Sequence, residues 1–169
     1  MPHQAGGMTE SAEGLVEVQV LGLPLDIWAR TQEHMDGLLR EFTLLVAGDA
    51  TSTTRHAPRR LLDLVAELET DYAGMSSDQE QQLAEAADAG KDAIDLTYLV
   101  PLSVREACRR LDEALDEADR YCLEGEYLLT LATPVDARAF RRWFLAQFME
   151  QIDGRPARSW PEWQAADAG

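Results

Sequence analysis

Two short stretches of this chain alternate apolar with polar residues, and long amphipathic sequence separates them. In VEVQVLGL, residues 16–23, the three valines share one side. AIDLTYLVP, residues 93–101, repeats the alternation and ends at a proline. A period of two that is rich in β-branched residues is typical of a strand with one buried face. The pattern therefore predicts two strands and favours folds that combine strands with helices.

A third strand is predicted for EYLLTLAT, residues 126–133, although a helix is nearly as consistent with this stretch. The remaining periodicity is helical, and it predicts helices at about residues 27–46, 58–72, 77–90, 103–124 and 134–154. The order of the elements predicts a two-layer α+β domain, in which about five helices cover a small three-stranded sheet. The sequence does not determine the order of the strands in that sheet. Its last strand–helix–strand unit is expected to be parallel and right-handed. The alternative is an all-α helical bundle.

Three predicted helices begin with the Ser/Thr-x-x-acid pattern of a capping box. The pairs are Ser77–Glu80, Ser103–Glu106 and Thr133–Asp136. In such a box the hydroxyl accepts a hydrogen bond from a free backbone N–H of the first turn, and the acid reaches back to the cap. We expect all three helices to begin in this way.

The domain organisation follows from composition along the chain. Residues 1–14 are small and polar and are predicted to form a flexible arm. Residues 15–154 are long enough to bury the core of a single globular domain. Residues 155–169 form a tail that contains Trp and Pro. The small polar residues of 48–58 predict the main internal loop.

The charge of the chain excludes several classes of partner. Its net charge is −16, and residues 1–133 carry 26 acidic against 10 basic residues, whereas residues 134–169 carry five of each. Phosphate binding needs a cationic surface, so we expect no binding to nucleic acid or to an anionic membrane. The N-terminus has no signal-peptide pattern, and no stretch approaches the length of a membrane span. These features predict a cytoplasmic protein.

The two cysteines do not predict a disulfide. Cys108 and Cys122 lie 14 residues apart on one predicted helix, too far along its axis to form a bond. Both fall on its apolar face, and no histidine is near either in sequence. Buried structural thiols are therefore the better interpretation.

No catalytic or metal-binding motif is present. The sequence has no His-x-x-x-His pair, no glycine-rich phosphate loop and no Gly-x-Ser-x-Gly elbow, so no metal, cofactor or catalytic residue is predicted. His34 lies at the edge of an apolar helix face, where a solvated side chain is favoured over a ligand or base. Asp112 and Asp116 share a helix face opposite the apolar stripe, as do Glu113 and Glu117, and we expect both pairs to be solvated.

The stretch AFRRWFLAQFMEQIDG, residues 139–154, contains the best candidates for a contact surface. On a helical wheel Phe140, Phe144 and Phe148 form the core face, and Arg141 falls inside this apolar arc. Its stem is expected to lie along the apolar surface, with the guanidinium at the rim or paired with a carboxylate. Trp143 points away from the arc. Either the tail folds back to pack on this ring, or the ring is left for a partner.

Possible partner contacts are therefore Trp143, Trp160 and Trp163, with Arg141 as a weaker fourth.

Over about residues 15–161, the segments VQVLGLPLDIWARTQEHMDGLLREF, IDLTYLVP, LLTLATPVDARAFRRWFLAQFMEQIDG and SWP together resemble a family of uncharacterised proteins from high-GC actinobacteria. Proteins of that family occur alongside anti-sigma-type ATP-binding regulators and serine phosphatases. The resemblance implies a role in partner-switching signalling. This chain has no Asn and so lacks a motif that the ATP-binding regulators need. IDLTYL resembles the strand before the phosphorylated serine of antagonist domains, which would make Ser103 the acceptor. The Asp-Ser-Ser/Thr-Gly motif of that site is missing, so Ser103 is interpreted as a helix cap.

Two functions follow as hypotheses. The first is a non-enzymatic regulatory or adaptor protein that binds other proteins. This hypothesis is compatible with a homodimer. It rests on the segregated charge and on the aromatic residues near the end of the chain. The second is a small-molecule sensor or small enzyme whose pocket lies between the sheet and the helices. Trp28, His34, Tyr98 and nearby carboxylates are the predicted lining of that pocket.

Overall fold

The computed structural model describes residues 14–48, 56–125 and 131–168. They form a mixed α+β fold with six helices and one antiparallel pair of strands, which confirms the predicted class and excludes the all-α bundle. In chain order the elements are β1 (Val16–Pro24), α1 (Leu25–Gly48), α2 (His56–Asp71), α3 (Ser77–Asp88), β2 (Ala93–Val100), α4 (Val104–Glu124), α5 (Val135–Ile152) and α6 (Trp160–Asp167).

The sheet buries one face and exposes the other, as the alternation predicts. β1 and β2 pair from Val16 opposite Val100 to Pro24 opposite Ala93. The side chains that point inward are buried, and the polar residues between them are exposed. The buried set is Val18, Val20, Leu23, Leu96, Tyr98 and Val100.

The described part of the third predicted strand, residues 131–133, is not part of this sheet. Residues 126–130 lie outside the described residues, and residues 131–133 pair with neither strand. Within the described ranges the sheet thus has two strands instead of three, and the predicted parallel unit is absent. At residue 133 a tertiary contact takes the place of strand pairing. Thr133 donates from its backbone N (3.0 Å) and its Oγ1 (2.6 Å) to the carboxylate of Asp119.

Glutamine side chains from two helices satisfy backbone groups on the two outer edges of the strand pair. On the edge of β1, the amide of Gln151 accepts from Gln19 N (2.9 Å) and donates to Gln19 O (2.7 Å). On the edge of β2, Gln79 Nε2 donates to Thr97 O (2.6 Å). An isolated two-stranded ribbon is marginally stable in water, so these contacts tie it to α5 and α3.

An irregularity in β1 provides the space that α6 occupies. The register shifts between Val20 and Leu23, where Gly22 has a φ of +68° and donates from its N to Asp95 Oδ1 at 2.6 Å. A Cβ at position 22 would lie 3.3 Å from Pro161 Cδ. The backbone conformation and the close approach of the tail both favour glycine here.

The interior is divided into two apolar clusters. The first lies between the sheet, α5 and α6, and it contains most of the aromatic side chains. The second lies between α1, α2 and α4 and is largely aliphatic, with Leu38, Phe42, Leu61, Leu64, Ala114, Leu115, Ala118 and Cys122 as its buried members. Leu111 on α4 packs against both clusters and links them.

The three predicted capping boxes are wrong, because each hydroxyl has a different position or partner. Ser77 is the first residue of α3, and the preceding Ser76 donates to Glu80 (2.7 Å). Ser103 precedes α4 but caps no backbone N–H, and its Oγ accepts from the Tyr72 hydroxyl at 3.1 Å. The residue before α5 is Pro134.

Residues 155–168 are not a loose tail but pack on the body of the protein. Gly154 follows α5 with a φ of +87°, which turns the chain. Ser159 and Glu162 form a complete capping box at the start of α6, where Ser159 N donates to Glu162 Oε2 at 2.8 Å. Helix α6 then lies against β1 and α5.

Two other predicted segments fall mainly outside the described residues. The arm at residues 1–14 does so except for Gly14, and the predicted loop at residues 48–58 does so for residues 49–55. Residues 56–58 already belong to α2. Across the described ranges, no helix has the length and apolar character needed to cross a membrane.

Candidate functional site

Trp143 is buried by the tail of its own chain. Its side chain is 0% exposed, and its ring lies 5.4 Å from the ring of Trp160, which is 5% exposed. Trp143 Nε1 donates to the backbone O of Arg158 at 2.8 Å. The sequence left open whether the tail or a partner covers the Trp143 ring, and in the structure the tail covers it. Neither Trp143 nor Trp160 is accessible to a partner while α6 is in place.

Trp163 is the most accessible of the three predicted tryptophan contacts. It is half-buried, and the Arg158 guanidinium carbon lies 4.4 Å from the centroid of its ring, a distance typical of a cation–π contact. The ring also lines a groove of about 520 Å³ between α6 and the starts of α1 and α5. Val135, on the same groove, is 83% exposed.

Arg141 is buried in an ionic cluster between α4 and α5. Its side chain is 6% exposed, and Nη1 lies 3.1 Å from Asp119 Oδ2, a carboxylate that is equally buried. Asp116 also accepts from Arg141, and Asp112 Oδ1 lies 3.5 Å from its Nε. The expectation that Asp112 and Asp116 are solvated is therefore corrected, because both turn toward α5. The guanidinium of Arg141 therefore pairs with carboxylates of its own chain, which was one of the two positions expected for it.

A candidate binding site is the cavity of about 690 Å³ between β2 and the surrounding helices. Aromatic side chains form much of its wall, where Tyr98 packs edge-on against Phe148 at 5.1 Å and against Phe144 at 6.3 Å. Helices α1 to α4 supply the other sides. The lining residues are Trp28, Gln32, Leu68, Tyr72, Met75, Ser76, Glu80, Leu83, Tyr98, Val100, Val104, Ala107, Cys108, Leu111, Phe144, Leu145 and Phe148.

The polar groups of this cavity lie mostly on the side of the α2–α3 turn. Ser76 donates to Glu80 Oε1, and the Tyr72 hydroxyl donates to Ser103. Burial, together with the charge of Glu80, raises the pKa of Tyr98 to about 12, so this phenol stays protonated at neutral pH. A neutral phenol and a carboxylate on a mostly apolar wall can orient a ligand.

The two cysteines behave as the sequence predicts, as buried thiols. Cys108 lines the cavity, and its burial, with the nearby charge of Asp112, raises its pKa to about 12. Burial likewise raises the pKa of Cys122 to about 11. Because the thiolate is the reactive form, neither group is activated as a nucleophile.

His34 lies away from the predicted pocket. Trp28 and Tyr98 line the cavity as expected, but His34 faces the region of Asp119, and its Nε2 finds no hydrogen-bond partner among the described residues. Burial lowers the pKa of His34, while the charge of Asp119 acts in the opposite direction. The predicted solvated side chain is thus found half-buried, and the lowered pKa favours the neutral imidazole.

Several lining residues could not be selected from the sequence. Phe144 and Phe148 were assigned only to the core face of α5, and Glu80 only to a helix cap. The sequence did contain one indication of this wall: the inner face of α5 is rich in aromatic residues, and the strand β2 carries Tyr98. Across the described ranges, no group of three or more His, Cys, Asp or Glu side chains is placed to hold a metal ion.

Comparison with known proteins places this chain in no family, since it matches no protein-family model, no curated protein and no solved structure.

Proposed function

We propose that this protein binds a small, mostly apolar molecule in the cavity between β2 and helices α1 to α5. The cavity itself carries the proposal, because its volume of about 690 Å³ lies within the range typical of small-molecule sites. An apolar wall with a few polar groups at one side is also the usual composition of such a site.

Binding is tested by ligand-induced stabilisation of the whole chain. A panel of uncharged aromatic and aliphatic compounds is screened by thermal unfolding, and each hit is measured by isothermal titration calorimetry. A ligand at about 100 times its Kd should stabilise the folded state by roughly 2.7 kcal/mol. We expect at least one apolar compound to raise the unfolding midpoint in proportion to the logarithm of its concentration.

The variant Ala107→Phe locates the binding site. Ala107 is buried and lines the cavity, so a phenyl ring at this position should occupy space that the ligand needs. The control is Ala66→Phe, the same change at an exposed position of α2. The proposal requires that the first variant loses the ligand response and that the second keeps it. A panel without any stabilising compound, or equal responses in both variants, contradicts it.

We propose protein binding at the groove beside α6 as a second candidate function. Exposed apolar surface at Val135 and the accessible edge of Trp163 support it, as does the near-neutral charge of residues 134–169. The partner-switching role that the family resemblance implies would use such a surface. Purification from native cytoplasm should recover a specific protein with the wild type and lose it with Trp163→Ala, whereas Ala165→Ser keeps it. An unchanged set of bound proteins contradicts this candidate.

A further inference from the structure

The cavity combines aromatic walls with one charged side chain. Glu80 is the only charged residue among the described residues that line it, and no arginine, lysine or histidine is present in that lining. Five of the lining residues carry aromatic rings: Trp28, Tyr72, Tyr98, Phe144 and Phe148. The faces of aromatic rings attract cations, whereas they do not attract anions.

The carboxylate of Glu80 is not neutralised by the protein. Other acidic residues of the fold are paired with arginines: Glu67 with Arg110 at 2.7 Å and Glu106 with Arg109 at 2.5 Å are examples. Glu80 forms no ion pair with the described arginines or with Lys91, and its hydrogen-bonded neighbour is the hydroxyl of Ser76. Its charge acts on the cavity wall, since it contributes to the raised pKa of Tyr98.

The surrounding field has the same sign. The chain carries a net charge of −16, which raises the local concentration of cations near its surface and lowers that of anions. A carboxylate or sulfate ligand would enter this site without a basic side chain to replace its hydration. A buried charge without a partner is costly, so such ligands are disfavoured.

We propose that the ligand of this cavity is an amphipathic monovalent cation, with an aromatic or aliphatic body among the rings and an amino or quaternary ammonium group at Glu80. This inference rests on the proposed function, because it names the chemical class of the molecule that the cavity binds. The apolar body supplies the burial, while the ammonium group pairs with the carboxylate and with the neighbouring aromatic faces.

The test uses three ligands that share one apolar body. Phenylbutylamine, phenylbutanol and phenylbutyrate are cationic, neutral and anionic at pH 7, and their Kd values are measured by calorimetry on the full chain at low ionic strength. We expect the amine to bind about tenfold more tightly than the alcohol, and the carboxylate to bind most weakly. In Glu80→Gln the advantage of the amine over the alcohol should fall to less than about threefold, while binding of the alcohol is unchanged.

The matched control is Glu85→Gln, which removes the same charge from the same helix. Glu85 is exposed, as Glu80 is, but it does not line the cavity, so the variant should keep the tenfold preference. If the alcohol or the carboxylate binds as tightly as the amine, and Ala107→Phe abolishes that binding, the cation preference is overturned while the cavity function stands. If Glu85→Gln loses the preference as fully as Glu80→Gln, the local role of Glu80 is overturned. If none of the three ligands binds, the proposed function fails with the inference.

Discussion

The two sides of helix α5 present the same kind of side chain to different surroundings. On one side, Trp143 is covered by the tail, which supplies both the ring of Trp160 and the carbonyl of Arg158 as a hydrogen-bond acceptor. On the other side, Phe144 and Phe148 meet Tyr98 and border a cavity of about 690 Å³. Both sides are rich in aromatic residues, and the chain covers only one of them completely.

The difference separates a structural use of aromatic residues from one that suits binding. A buried indole needs a partner for its N–H, and the tail provides it, so the tail side is saturated in both packing and hydrogen bonding. On the cavity side, the polar groups lie at the edge of an apolar wall, which is the arrangement of a ligand site. The following variants test whether the two sides differ in this way.

The largest effect is expected for Trp143→Ala. The change removes a fully buried ring and leaves the Arg158 carbonyl without its donor, so the free energy of unfolding should fall by about 3–5 kcal/mol. Chemical denaturation with two-state analysis measures the loss. Trp28→Ala, on the wall of the cavity, should cost less because that ring is only half-buried. Equal losses would remove the distinction between the two sides.

Much of the fold could be predicted from the sequence because it depends on local periodicity. The alternation in residues 16–23 and 94–100 identifies both strands, and the helical spacing of Phe140, Phe144 and Phe148 identifies the inner face of α5. The helix starts could not be predicted in the same way. A serine or threonine before a helix has several possible partners, and in this fold Tyr72 and Asp119 bind the hydroxyls of Ser103 and Thr133.

The candidate site depends on packing between distant segments, which periodicity does not report. Tyr98 and Trp28 were selected from the sequence, but a cavity volume is set by how closely five helices and a strand approach one another. The ionic cluster was missed for a related reason. Asp112, Asp116 and Asp119 lie on the flank of the apolar stripe of α4, and the position of α5 turns that flank into an interior.

A second large effect is expected for Arg141→Met, which tests the side of α5 that faces α4. The variant keeps much of the apolar stem but removes the cation closest to the buried Asp119. Among the described residues only Arg138 remains, with its Nε 3.7 Å from the same carboxylate, so stability at pH 7 should fall by about 3 kcal/mol. Arg142→Met is the control, because Arg142 is 54% exposed and its loss should change stability by less than about 1 kcal/mol. Denaturant unfolding of both variants gives the comparison. Similar losses of stability would show that the buried Arg141–Asp119 pair contributes no more than the exposed Arg142.

The pH dependence of Arg141→Met gives an independent reading of the same cluster. Burial raises the pKa of Asp112, and Arg141 opposes this shift. Without the arginine, the pKa of Asp112 in the folded state should rise further. The ionised Asp112 then costs stability at neutral pH, and the cost disappears as the pH falls through its raised pKa. The stability difference from the wild type should therefore shrink between pH 7 and pH 4, and a constant difference contradicts the assignment.

A medium effect is expected from adding volume at two equally buried alanines. Ala146 on α5 is 9% exposed and does not line the cavity, so Ala146→Leu should overpack its surroundings and cost about 1–3 kcal/mol. Ala107 is 8% exposed and lines the cavity, so Ala107→Leu should be neutral or slightly stabilising. Thermal unfolding of the two variants is sufficient. If both lose the same stability, the cavity is not space that a side chain can use.

The smallest effect on global stability, and the most local one, is expected for Gln147→Leu. Gln147 is 1% exposed, and its Oε1 accepts from Arg158 N at 2.9 Å, so the leucine leaves that N–H without its partner at an expected cost of about 1 kcal/mol. The loss should appear first in the tail, because Arg158 is held by this bond and by Trp143. Trypsin cleavage after Arg158 should therefore accelerate more than the unfolding midpoint falls. Gln151→Leu is the matched control, since it removes two amide hydrogen bonds from the edge of β1 and none from the tail. Equal cleavage rates in the two variants would mean that the hydrogen bonds of α5 do not hold the tail, and that the rings of Trp143 and Trp160 hold it alone.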